Sequence, residues 1–148
     1  MCNNIISIMR SFPPNAIIKI DRRSVFAFQE KNKRYRANNI TGKLGCMLQI
    51  DGNLFLDQEK KCDNGLLLED YRFFLIELKG KDVSHACKQL LCTLKKLKSN
   101  YSYNFNFFCR IVAKKGIPRI DTHMQSLIKE LGSDKKLKTH ENEYEENI

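Results

Sequence analysis

No apolar run in this chain is long enough to cross a bilayer. The two clusters near its start, Ile5-Ile6-Ser7-Ile8-Met9 and Ala16-Ile17-Ile18, fall far short of the roughly 20 residues a spanning helix needs, and they lack a signal-peptide layout. A cytoplasmic protein with no membrane partner is expected. The sequence has no CxxC pair either. Its six cysteines, Cys2, Cys46, Cys62, Cys87, Cys92 and Cys109, sit mostly in apolar segments, where a thiol behaves as a small hydrophobe, so they read as reduced and buried. Disulfides would need an oxidising compartment that no export signal supports. His85, Cys87 and Cys92 fit no zinc-ligand spacing. No internal repeat or low-complexity linker divides the 148 residues, and a single domain over 1–148 follows.

Basic residues are missing from the last eight positions, which hold Glu141, Glu143, Glu145 and Glu146. The net charge of +9 therefore understates the rest: residues 1–140 carry 26 Lys and Arg against 13 Asp and Glu, a net +13. Such a surface attracts polyanions, of which nucleic acid is the commonest; the plainer alternative is a soluble protein with solvated lysines. The acidic tail at about 141–148 either frays into solvent or shields the basic surface.

Pattern along the chain alternates between strand and helix chemistry. Pro13-Pro14 punctuates the start, and 16–20 reads as a short strand. Residues 24–38 fit a hairpin turning over Glu30-Lys31-Asn32-Lys33, with an amphipathic helix as the competing reading. A strand at 46–50 is followed by the turn signal Asp51-Gly52 and a returning strand over 53–56. The period changes at Asp82: Val83, Ala86, Cys87, Leu90, Leu94 and Leu97 recur at helical spacing. Residues 105–113 return to strand chemistry, Pro118 breaks the chain, and Asp121 or Thr122 opens a short helix closed by Gly132. Lys135 to Thr139 suggests a last strand. A mixed sheet flanked by helices, α/β or α+β, is expected.

The run Phe73-Phe74-Leu75-Ile76-Glu77-Leu78-Lys79 stands out. Side chains alternate across a strand, so Glu77 and Lys79 share one face of an apolar segment, where charge costs several kcal/mol, as a rough figure, unless paired, solvated or metal-bound. Asp63 lies upstream. If its segment neighbours this strand, the carboxylates of Asp63 and Glu77 with the Leu78 carbonyl form the donor set a hard cation such as Mg²⁺ takes. Lys79 would stand beside the water it activates.

Asp63, thirteen intervening residues and Glu77-Leu78-Lys79 resemble the D…(D/E)xK signature of the PD-(D/E)xK nuclease superfamily, the restriction-endonuclease-like fold. The segment FLIELKGKDVSHACKQL is also similar to that of small bacterial proteins with a CD…IELKG pattern, from about Cys46 onward. The resemblance implies a restriction-endonuclease-like mixed central sheet flanked by helices, with Gly80 ending the strand and a helix following. It implies that Asp63 and Glu77 bind Mg²⁺, or Mn²⁺, and that Lys79 assists the attacking water. Several nuclease subfamilies place a Gln on the next helix near the metal, which makes Gln89, with His85 one turn away, a candidate supporting residue. The helical wheel instead sets that stripe far from the leucine face, in solvent. An upstream Glu is frequent in the superfamily, and Glu30 is the best placed. One departure is Asn64-Gly65, a hairpin-turn dipeptide where the similar proteins continue the strand, which makes Asp63 a turn residue.

The expected function is metal-dependent hydrolysis of phosphodiester bonds in DNA or RNA. The alternatives are a non-cleaving nuclease-like module that binds nucleic acid or a protein, and a structural or immunity-type partner; a homodimer stays open. Phe26, Phe28, Tyr35, Tyr101, Tyr103 and Phe105 either stack on bases or fill the core.

Overall fold

The computed structural model describes residues 2–55, 57, 61–79, 82–114 and 120–148, without the side chains of Cys2, Asn3 and Lys79. Expectations for Leu56, Gly80 and Pro118 lie outside them. Ile5, Ile8, Met9 and Phe12 are all buried, and their spacing makes one apolar stripe on helix α1, Cys2–Ser11. The sequence reading assigned no helix there. Next come β1 (Ile17–Asp21), β2 (Val25–Glu30), β3 (Lys33–Asn38), β4 (Gly45–Gln49), β5 (Asn64–Leu68), β6 (Arg72–Lys79) and α2 (Val83–Asn100). The chain ends with β7 (Asn106–Ala113), α3 (Thr122–Leu131), a 3₁₀ turn at Asp134–Lys136, β8 (Leu137–Glu141) and β9 (Glu143–Asn147).

A six-stranded sheet runs in the order β1-β4-β5-β6-β7-β8. Its first three pairings are antiparallel and its last two parallel. Parallel neighbours need a crossover, which α2 and α3 provide. The general α+β class is as expected. All three described helices pack on one face, where Leu48, Leu67, Phe73, Leu75 and Cys109 meet α1, α2 and α3. The other face is covered not by helices but by a three-stranded sheet, β2-β3-β9, whose Phe26, Phe28 and Tyr35 pack on Leu66, Phe74 and Ile76. These aromatics, with Phe105, are core residues; Tyr103 is exposed.

Three turns and ends differ from the sequence reading. Asn53 and Leu54 remain in a turn after Gly52, both donating to the Ile50 carbonyl at 3.1 and 3.0 Å, because both edges of β4 are already occupied, by β1 and β5. Asn64-Gly65 opens β5 instead of making a hairpin turn. Gly65 is there for space: a Cβ would meet Ile50 Cδ1 at 2.8 Å and Phe73 Cε1 at 3.1 Å. The acidic tail does not fray. It forms β9, parallel to β3, with Arg34–Glu143 at 2.7 Å and Arg36–Glu145 at 3.8 Å.

Candidate active site

The β5–β6 ladder ends at Asn64 opposite Ile76, and beyond it side chains replace the missing backbone bonds. The Leu78 amide donates to Asp63 Oδ2 at 3.3 Å, and the Asp63 amide donates to Glu77 Oε2 at 3.2 Å. Each carboxylate is thus held by the main chain of the other's segment. The Asp63 carbonyl accepts from the Ile50 amide at 2.9 Å, which fixes the residue just before β5. Asp63 is half-buried and is not a hairpin-turn residue.

Glu77 is 2% exposed, and strand alternation puts it with Phe73 and Leu75 on the helix-covered face. A carboxylate so placed costs several kcal/mol, as a rough figure, without compensating contacts. Its field reaches the neighbouring thiol: burial, and then the Glu77 charge, push Cys62 well above the ordinary thiol range. Cys46, Cys62, Cys87 and Cys109 are buried free thiols, and Cys92 is half-buried.

Helix α2 supports this corner from above. Asp82 caps it by accepting from the His85 amide at 2.9 Å. The Thr93 hydroxyl accepts from the Cys62 amide and donates to the Gln89 carbonyl, both at 2.9 Å. Gln89 is 3% exposed, so the expectation of a solvent-facing stripe is corrected. Four residues advance about 40° around a helix; His85 therefore stays exposed while Gln89 and Thr93 turn under the helix toward the sheet. Neither polar atom of the Gln89 amide has a hydrogen-bond partner among the described residues.

The loop entering Asp63 is tied at two points. Asp51 Oδ1 accepts from the Lys61 amide at 3.0 Å. Asp57 pairs with the buried Lys61 and, at 3.1 Å, with Lys96 of α2. Asp63 opens onto a cleft of about 310 Å³ lined by Gln29, Glu30, Gln49, Asp51, Asp63 and Asn64. Glu30, at the end of β2, thus shares a cleft with Asp63.

Asp63, Glu77 and Leu78 are brought together; His85 is not part of the cleft lining. Lys79 is the last residue of β6, two positions beyond Glu77, and its side chain lies outside the described residues. Among the described residues no group of three or more His, Cys, Asp and Glu gathers as metal ligands. The donors present are two carboxylates, each with one oxygen on a backbone amide, and the Leu78 carbonyl, which leaves the strand by the same edge as its amide. This all-oxygen set fits a hard cation. Thr93, Asp51 and Gln49 were missed by sequence reasoning; only Thr93 left a signal, a polar residue one helical turn from Gln89.

No protein-family model matches this chain, and neither a curated protein nor a solved structure is significantly similar to it.

Proposed function

We propose that this chain is a metal-dependent nuclease that hydrolyses phosphodiester bonds in DNA or RNA, on a restriction-endonuclease-like fold. The observation that carries the reading is the reciprocal bonding of Asp63 and Glu77, each carboxylate on the main chain of the other's segment, with Asp63 lining a polar cleft. Support also comes from a mixed sheet whose strand β6 runs, through Asp82, into α2.

In this reading Asp63, Glu77 and the Leu78 carbonyl hold Mg²⁺ or Mn²⁺. A cation held there would supply charge neutralisation at the phosphate and lower the pKa of a water. Lys79, two positions beyond Glu77 in the sequence, would orient the attacking water or stabilise charge growing on phosphorus. Glu77 is kept dry by the overlying helix, which strengthens its hold on a cation.

The test is cleavage of duplex DNA, single strands and RNA with Mg²⁺ or Mn²⁺ against EDTA. Metal-dependent cutting is expected, with Asp63→Ala, Glu77→Ala and Lys79→Ala each losing on the order of 100-fold or more while staying folded. If Glu77→Ala and Lys79→Ala cut as well as wild type, the reading is wrong. Salt-sensitive binding with no cutting in any metal would favour the non-cleaving module.

A further inference from the structure

Among the described residues the cleft lining holds no Lys or Arg. Lysines gather elsewhere. Lys88, Lys95 and Lys96 line a hollow of about 410 Å³ on the outer side of α2. A second hollow of about 390 Å³, between α2 and α3, shares Lys95 and adds Ser126 and Lys129. Glu130, the acid of that hollow, is held by Lys98 at 3.2 Å. Lys96 is paired with Asp57. Lys88, Lys95 and Lys129 have no carboxylate partner among the described residues.

Two properties of this face select its occupant. Lys88 and Lys95 lie seven residues apart on α2, about 10 Å along the axis at the helical rise, too far for one small anion to bridge. Among the described residues no aromatic lines either hollow, whereas membrane-interface anchoring draws on aromatic rings. Spaced, unpaired ammonium groups suit the successive charges of a linear polyanion. The face also leads to the site: Lys96 joins Asp57, and Asp57 joins Lys61, two residues before Asp63.

We infer that the outer face of α2 and α3 grips the phosphate backbone of the nucleic acid through Lys88, Lys95 and Lys129. The choice of polyanion rests on the nuclease reading; the place on the molecule does not.

The test compares two triple variants of equal charge: Lys88→Gln/Lys95→Gln/Lys129→Gln, and a control, Lys19→Gln/Lys135→Gln/Lys138→Gln, on exposed lysines elsewhere. Binding of a short labelled duplex and a single strand is measured in EDTA across a salt series, with thermal unfolding as the fold check. Each lost phosphate contact lowers the slope of log K against log salt by about 0.7 to 0.9. The face variant should therefore lose roughly 2 to 3 in slope, and the control should match wild type. Equal losses in both variants, with metal-dependent cutting retained in wild type, overturn the placement alone. No binding of DNA or RNA by wild type at low salt overturns the placement and the nuclease reading together. Preference of wild type for poly-glutamate over the duplex overturns the assignment to nucleic acid.

Discussion

Arg110 and Glu146 close an ion pair at 2.6 Å between the two sheets, with side chains 5% and 16% exposed. Burial opposes the Arg110 charge, yet the hydrogen bond and charge of Glu146 hold its pKa above the ordinary value. The guanidinium also donates to the Cys109 and Lys136 carbonyls at 2.9 and 3.0 Å and lies over the rings of Phe74, Phe108 and Tyr144. Tyr35 adds a hydroxyl bond to Glu146 at 2.7 Å. The acidic end of the chain is thereby tied to the core, with Tyr144 and Ile148 packed against it.

Glu146→Ala removes the carboxylate to which both Arg110 and Tyr35 donate. Removing one partner of a buried pair costs about 3 to 5 kcal/mol. Urea unfolding should show the midpoint falling at unchanged slope. A loss below about 1 kcal/mol would show that the pair is screened like a surface bridge.

Thr93→Val keeps the shape of the side chain and deletes the acceptor of the buried Cys62 amide. An orphaned buried donor costs about 1 to 3 kcal/mol. Thr93→Ser should recover most of that stability. Cutting should also fall in the Val variant, since Cys62 directly precedes Asp63; full activity there would show that Asp63 is positioned without the helix.

Gln89→Leu should stabilise the metal-free protein by about 1 kcal/mol, because the amide it replaces is buried and unpaired among the described residues. Thermal unfolding reads this directly. The same variant should cut more slowly if the amide serves the site beneath α2. A fall in melting temperature would show that the amide has a partner.

Glu69 carries a pH dependence of known sign. The Arg22 guanidinium at 2.7 Å, and then the Leu44 amide at 2.8 Å, hold its carboxyl below the usual range. A carboxylate with a lowered folded pKa stabilises the fold above its unfolded value, about 4.3, and that contribution is lost as pH falls through the folded value. Its side chain is 33% exposed, so screening keeps the amount below about 1 kcal/mol. Glu69→Gln should be less stable at neutral pH and lose less stability on acidification below about pH 4. Identical acid slopes in the two proteins would remove Glu69 from the account.

Local patterns were legible in the sequence wherever one element supplies its own signal. The apolar run of 73–79, the hairpin expected over 24–38 and the helices opened at Asp82 and Asp121 all appear as strand, hairpin and capped helices. Gly132 ends α3 with φ 87°, a left-handed turn that glycine adopts without a Cβ clash. In α1 the signal was present too, at Ile5, Ile8, Met9 and Phe12, but it served only to exclude a membrane span.

What the sequence by itself determined, then, is those strands and helices that carry their own signal and the charged pair on β6, because side-chain period and capping act over a few residues. Tertiary structure alone decided three things. Asp63 meets the Leu78 amide because β5 stops one residue short of it. Gly65 belongs to a strand because Ile50 and Phe73 leave no room for a Cβ. Four glutamates that look like a solvated tail include a strand partner for β3, because Arg34, Arg36 and Arg110, more than thirty residues away in sequence, converge there. Each depends on groups from remote segments whose contact free energy exists only once the sheet has formed.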